Sequence, residues 1–275
     1  MNQRYIFLDI DGTLFSPQIG KIPDSAMEAV NQARKNGSKI FLCTGRTLAG
    51  CNQYLGLDID GFVFGAGSMV YADRKRVFDH PLHKDEEEMI KQMIHEEGMG
   101  YVAEGQAGGY CDPIGYEILG RYFGGIGTSA QEQQKKLAEN CFYPEYYEHP
   151  EEKIYKMCAY TKHGGSFASL RKKLPSSFSL TVTVRDPKLD DCAEVTNALI
   201  TKATGIERIL EFYGASRDLA VGIGDSENDI PMIEYCGTGI AMGNAMREVK
   251  EAADWVTTPI LEDGIKNAFR HLSLI

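Results

Sequence analysis

The sequence has no uncharged apolar run of about 18 residues, so nothing in it reads as a membrane span. Its first residues lead into an apolar strand and lack the hydrophobic core of a secretory leader, so a cytoplasmic protein is expected. Cysteine forms no Cys-x-x-Cys pair: the seven cysteines, at 43, 51, 111, 141, 158, 192 and 236, are scattered and odd in number. That pattern disfavours a disulfide framework or a zinc site and fits a reducing compartment. Positive charge is in short supply, with 29 Lys and Arg against 39 Asp and Glu for a formal charge of −10. The deficit argues against nucleic acid or an anionic membrane as a partner. It would also repel a phosphate ester, so an anionic substrate needs positive charge placed locally. What remains is ordinary for a globular chain: 275 residues, 43% hydrophobic and 25% charged, enough for one large or two modest domains.

The most informative stretch is Phe7-Leu8-Asp9-Ile10-Asp11-Gly12-Thr13-Leu14. The apolar run from Tyr5 to Leu8 reads as a buried strand of a parallel sheet, and it stops at two carboxylates and a glycine. Ligands of open α/β sheets bind just outside the carboxyl ends of the strands, which is where Asp9 and Asp11 are delivered. A carboxylate there can attack phosphorus, and a second one two residues on can protonate the leaving oxygen and then deprotonate a water. Two such anions resist ionising together unless a cation lies between them, and Mg²⁺ suits oxygen ligands shared with water and phosphate. Gly12 permits a positive φ, and Thr13 offers a hydroxyl and an amide to phosphate oxygens.

Along the chain, 4–9 reads as the first strand and 25–36 as a helix, with Ser25-x-x-Glu28 as a capping box and Gly37 beyond its end. The strand 39–43 ends at Thr44-Gly45-Arg46, with a short helix from about Thr47. The strand 61–64 is followed by Gly65-Ala66-Gly67. This β-α-β-α-β order implies a parallel sheet with right-handed crossovers. A hairpin is expected at 69–78, and a helix from Lys84 to about Glu97. Segments 100–104, 154–161 and 178–184 read as strands, and 131–140 and 164–174 as helices. The glycine- and tyrosine-rich stretch 105–127 yields no assignment. A helix over 195–213 and a strand at 219–223 restore the α/β pattern. Shorter elements follow, ending in the strand at Trp255-Val256 and a final helix. The expected organisation is an α/β core, 1–80 plus 187–275, interrupted by an α+β insertion at 81–186.

Further candidates follow from position. Thr44, at the end of the second strand, and the amides of Gly45 and Arg46 at a helix start suit an anion. Lys202 would be an ordinary surface lysine, except that phosphate and acids together need a compensating cation. Gly224-Asp225-Ser226-Glu227-Asn228-Asp229 repeats the strand-glycine-carboxylate pattern, so Asp225 would complete a Mg²⁺ sphere while Asp229 ligates through water or orients a ligand. Asn228 could donate to phosphate or to Asp229. Ser226-x-x-Asp229 also reads as a capping box, which is compatible with a site role. Gly243-Asn244-Ala245 could brace the site by close approach. His80, His83 and His95 show no ligand-like arrangement. Tyr110, Tyr116, Tyr122 and Phe123 read as core aromatics before they read as a ring-binding surface.

With these residues in order, the chain resembles the haloacid dehalogenase superfamily, and within it the Cof-type phosphatases with a larger α/β cap. The resemblance rests on Asp9-x-Asp11-Gly12-Thr13, Thr44-Gly45-Arg46, Lys202 and Gly224-Asp225-x-x-Asn228-Asp229, with Ile240-Ala241-Met242-Gly243-Asn244-Ala245 typical of the subgroup. It implies a Rossmann-like core whose inserted cap serves as a lid. It implies Asp9 as nucleophile, and Asp11 as general acid/base with its backbone carbonyl on Mg²⁺. Asp9 and Asp225 would ligate the metal, with Asp229 in support. Gly12, Thr13, Thr44, Gly45, Arg46, Lys202 and Asn228 would hold phosphate. Ala203 stands where the family often has glycine after the lysine. The implied activity is Mg²⁺-dependent hydrolysis of a small phosphorylated metabolite through an aspartyl-phosphate. A sugar phosphate is expected first, then pyridoxal phosphate or a flavin phosphate or precursor. The chain is expected to be a monomer or homodimer. Rival readings are a phosphomutase, a phospho-accepting signalling module, and a phosphosugar binder without turnover.

Overall fold

The computed structural model describes residues 3–125, 127–144, 151–161, 165–184 and 191–275. The chain forms two compact units, one of residues 1–45, 57–79 and 200–275 and the other of residues 46–56 and 80–199. No helix among the described residues is long and apolar enough to cross a membrane.

In the first unit, β1 (Tyr5–Leu8), α1 (Asp24–Lys35), β2 (Lys39–Cys43) and β3 (Gly61–Phe64) lead to the hairpin β4 (Met69–Ala72) and β5 (Lys75–Asp79). The second unit then holds α2 (Lys84–Glu96), β6 (Gly100–Gly105), β7 (Gly109–Cys111), α3 (Pro113–Gly124), α4 (Ala130–Glu139) and β8 (Phe142–Pro144). It continues with β9 (Ile154–Thr161), α5 (Ala168–Lys173), β10 (Phe178–Val184) and β11 (Asp191–Asn197). The chain returns to the first unit through α6 (Lys202–Tyr213), β12 (Ala220–Gly224), α7 (Ile230–Tyr235), β13 (Thr238–Ala241), α8 (Arg247–Ala252), β14 (Trp255–Val256) and α9 (Gly264–His271).

The first unit is built on a sheet of order β14-β13-β12-β1-β2-β3-β4-β5. Its strands are parallel from β14 through β3, and the β3–β4 and β4–β5 pairings are antiparallel. Every residue of β1 is buried, as a strand with neighbours on both sides requires. Phe7 and Phe41 stack at 5.0 Å between centroids, and Ile206, Ile209 and Leu210 of α6 join the same apolar cluster. The hairpin turns on Asp73 and Arg74, both at positive φ (45° and 62°), which matches the twist of paired strands.

The second unit is a sheet of order β10-β11-β9-β6-β7-β8, antiparallel except where β7 meets β8. Its side chains alternate between faces as strand geometry dictates. Tyr101, Ala103, Met157, Ala159 and Val195 pack with Ile90 and Ile94 of α2 and Leu170 of α5. Val102, Cys158 and Cys192 belong to a separate cluster with Leu119 of α3 and Leu137 of α4.

Several sequence expectations change. Residues 195–197 are strand, not helix: β11 lies between β9 and β10, and α6 starts only at Lys202, behind the capping Thr201. The boundary at 186–187 lies outside the described residues, yet β11 cannot leave the second sheet without stripping β10 of its neighbour. Helix α1 begins at Asp24 with Pro23 at the capping position, so Ser25 sits two positions too late to cap it. The unassigned stretch holds β7 and α3, the latter started by Pro113 and by the Asp112 side chain, which accepts from the Gly115 N–H at 2.7 Å. Of the expected helix 164–174, Ala168–Lys173 is formed, and 162–164 lie outside the described residues.

The second unit carries a buried charge of its own. Lys156 is 3% exposed, with its Nζ 2.6 Å from Glu194 and 3.4 Å from Glu104. Removing the cation would leave two carboxylates facing each other in a poorly solvated place. Lys156→Ala is therefore expected to cost about 3–5 kcal/mol in urea unfolding. A loss below about 1 kcal/mol would show that the triad is solvated and dispensable.

Candidate active site

Two neighbouring parallel strands deliver the acids. β1 ends at Leu8, but the Asp9 N–H still donates to the Ile223 carbonyl of β12 at 3.0 Å, so Asp9 stays latched to the sheet. It is 5% exposed. The chain then turns tightly, with the Leu14 and Phe15 N–H groups donating to the Ile10 carbonyl at 3.0 and 2.7 Å. Gly12 makes the turn at φ +86°, and a Cβ there would collide with the Asp225 carboxylate. Both backbone and space therefore demand glycine. The buried Thr13 donates its hydroxyl to Asp225 Oδ1 at 2.9 Å, which ties the two acid-bearing loops together.

The second loop is organised by Asp229, which is fully buried. Its Oδ2 accepts from the Asp225 and Ser226 N–H groups at 2.9 and 3.0 Å and from the Ser226 hydroxyl at 3.3 Å. The expected capping box at Ser226-x-x-Asp229 is thus present. Gly224 leaves the room it needs, since a Cβ there would strike the Asp229 carboxylate.

Lys202 is not a surface lysine. It opens α6, is fully buried, and places its Nζ 2.6 Å from Asp9 Oδ1 and 2.5 Å from Asp229 Oδ1. Burial pulls its pKa down, but the Asp229 and Asp9 carboxylates outweigh that and hold the ammonium charged. Asp9 is pushed up by burial and by Asp229, with Lys202 acting the other way. Burial first, and Asp229 second, push Asp225 up to about 7, against the Thr13 hydrogen bond and Lys202.

One oxygen from each of Asp9, Asp225 and Asp229 lies within 4.8 Å of the other two. Three carboxylates against one lysine leave an excess of negative charge, which adds to burial in raising Asp225. Such an all-oxygen cluster fits a hard divalent cation. Asp11 is outside this triad but close enough for its charge to raise Asp225. Thr44 is buried; its N–H donates to the Val63 carbonyl at 2.8 Å, and its own carbonyl accepts from the Ala66 N–H at 2.9 Å. Asn228 accepts from the Ser226 hydroxyl at 3.4 Å.

Gly45 and Arg46 are not at a helix start as expected, because the helix is a 3₁₀ segment, Ala49–Tyr54, that begins three residues after Arg46. Gly45 closes a segment of the first unit, whereas Arg46 opens one of the second. The Arg46 guanidinium donates to the Gly50 carbonyl at 3.0 Å and lies over the Tyr54 ring. A bracing role for the turn at Gly243-Asn244 is realised through the Asn244 side chain, which donates to the Gly12 carbonyl at 2.8 Å. Sequence spacing alone does not reveal that bond.

The raised Asp225 has a consequence for stability. A carboxyl whose folded pKa lies above its unfolded value stabilises the fold below about pH 4, and that contribution is lost as pH rises through about 7. In metal-free protein at pH 8, Asp225→Asn should therefore raise the melting temperature, by an amount worth at most about 4 kcal/mol. A lower melting temperature would mean that the carboxylate is not under electrostatic strain.

The profile of the haloacid dehalogenase-like hydrolases matches residues 6–269. The Bacillus subtilis protein YkrA, which carries a provisional phosphatase name, is 28% identical over the full length of both chains. The 5-amino-6-(5-phospho-D-ribitylamino)uracil phosphatase YcsE of Bacillus subtilis is 26% identical, covering 98% of this chain and 95% of its own. Among solved structures, the haloacid dehalogenase subclass IIB sugar phosphatase BT4131 superposes with a TM-score of 0.78 at 26% identity, covering 99% of this chain and 100% of that one. Sequence profile, full-length relatives and strand-end acids all point the same way, and the chain belongs to the haloacid dehalogenase-like hydrolases as a phosphoric monoester hydrolase of the Cof type.

Proposed function

We propose that this chain is a Mg²⁺-dependent phosphatase that hydrolyses the phosphate ester of a small sugar or sugar alcohol through an aspartyl-phosphate. The observation that carries this reading is the placement of Asp9: at a strand end, 2.6 Å from the Lys202 ammonium and in the same carboxylate triad as Asp225. A buried carboxylate kept beside a fixed cation is held in one orientation, which favours in-line attack on phosphorus.

In the forward step, an Asp9 oxygen bonds to phosphorus as the bond to the substrate alcohol breaks. Asp11 donates its proton to the departing alkoxide. In the second step Asp11 takes a proton from water, the resulting oxygen bonds to phosphorus, and inorganic phosphate leaves Asp9 as a free carboxylate. Lys202, Thr44 and Asn228 are assigned to the phosphoryl oxygens, whereas the Gly12 N–H is held by the Phe15 carbonyl at 2.9 Å. Asp229, with both oxygens already engaged, holds Lys202 and the Asp225 loop in place while adding charge to the metal side. Mg²⁺, when bound by Asp9, Asp225 and the Asp11 carbonyl, would offset the charge of the transferring group.

The second unit is assigned the part of a cap that excludes water and selects the alcohol. The substrate class draws on the relatives' names, one a sugar phosphatase and one acting on a phosphoribityl compound. Both names describe phosphate on a polyhydroxylated carbon chain. A flavin precursor therefore stands beside sugar phosphates as a candidate.

The test is a panel of phosphorylated metabolites assayed for free phosphate with Mg²⁺ and with EDTA. Phosphate release from sugar or ribityl phosphates that EDTA abolishes is expected, with a fall of about 10³-fold or more in Asp9→Asn. Near-normal turnover by Asp9→Asn would overturn the nucleophile assignment. Transfer to a second hydroxyl without free phosphate would overturn hydrolysis.

A further inference from the structure

The turn that follows β13 is bonded to both acid-bearing loops. The Met242 N–H donates to the Gly224 carbonyl at 2.9 Å, and the Met246 N–H donates to the Asp225 carbonyl at 3.0 Å. Between these two bonds, the Asn244 side chain reaches the other loop. Its Nδ2 donates to the Gly12 carbonyl at 2.8 Å, and its Oδ1 accepts from the Ile260 N–H at 2.9 Å. The turn 242–246 therefore holds the loop of Asp11, Gly12 and Thr13 against the loop of Gly224 and Asp225, and anchors both to the 3₁₀ turn Ile260–Glu262. Gly243 allows this close seating, since a Cβ there would run into the Pro259 nitrogen.

Asn244 is exposed, so its hydrogen bonds replace bonds to water and contribute little to global stability. What they fix is position. The planar amide sets Gly12 relative to Ile260. Gly12 in turn lies against the Asp225 carboxylate, where Thr13 makes its 2.9 Å bond. A shift of the Gly12 carbonyl would change the separation of the two carboxylate-bearing loops.

We propose that Asn244 is a positioning residue: by tying the Gly12 carbonyl to the turn that also holds Asp225, it sets the spacing at which the two loops share a divalent cation. This inference rests on the metal-dependent reading above. The amide is needed for both its atoms. Aspartate would keep the acceptor for Ile260 but would set a carboxylate, with no donor, against the Gly12 carbonyl.

The experiment compares the full-length wild type with Asn244→Asp and Asn244→Ala. Mg²⁺ affinity is measured by calorimetric titration, metal-free melting temperature by scanning calorimetry, and kcat and KM with p-nitrophenyl phosphate. In both variants Mg²⁺ affinity and kcat should fall about tenfold or more. KM should change less than about threefold, and the metal-free melting temperature should stay within about 3 °C of the wild type. Wild-type Mg²⁺ affinity in both variants would overturn the proposal. So would wild-type affinity in Asn244→Asp alone, because Asn244 would then serve only the Ile260 turn. A drop of about 10 °C in melting temperature would overturn it as well, by showing a general structural role. A wild type that binds no Mg²⁺ would contradict the proposed function itself, which separates that failure from failure of the positioning role.

Discussion

The structure of the first unit depends on one buried cation, the Lys202 ammonium, placed between Asp9 and Asp229. Without it, carboxylates from two loops would meet in a poorly solvated place and the sheet ends could not hold them there. With it, the charge is only partly offset, and Asp225 is still pushed up to about 7. Burial and the remaining negative charge together make the cluster suited to a bound cation. The site is most strained where the chemistry belongs, and a ligand of opposite charge relieves the strain.

The positions of these groups follow from the sheet. β1 and β12 are parallel neighbours, so their carboxyl ends lie side by side and Asp9 and Asp225 emerge together. Lys202 comes from the first position of α6, whose Ile206, Ile209 and Leu210 are packed against the same sheet. Apolar packing thus fixes the lysine backbone, and the carboxylates fix its side chain. The close glycines finish the arrangement. Gly12 and Gly224 each leave space that a neighbouring carboxylate fills. Lys156 in the second unit shows the same device on a smaller scale, since two flanking carboxylates hold it charged despite its burial.

Much of this was legible in the sequence because strand ends announce themselves. The apolar run before Asp9 and the run before Gly224 each stop abruptly at glycine and acid, and both proved to be adjacent strands. The hairpin at 69–78 and the helix from Lys84 were readable from turn chemistry and from an acidic first turn. What was not legible had a physical cause. β11 was hidden because Val195 and Thr196 lie just before a strong helical pattern, and only tertiary pairing with β9 and β10 makes them strand. The Asp112-Pro113 helix start carried a local signal that the surrounding glycines and tyrosines obscured. The Lys202 side chain gave no sign of burial, because its partners lie 193 and 27 residues away. The spacing of Gly243-Asn244-Ala245 points to bracing by backbone approach, whereas the bond to Gly12 runs through the Asn244 side chain across 232 residues.

The central claim is that carboxylates from both ends of the first unit share one divalent ion. A double-mutant cycle on Mg²⁺ binding tests it most directly, using Asp9→Asn, Asp225→Asn and the two together. If the ion is shared, removing the second carboxylate after the first costs far less than removing it alone, with a coupling of about 1 kcal/mol or more. Losses that add within about 0.3 kcal/mol would place the two carboxylates at independent sites and contradict a shared metal.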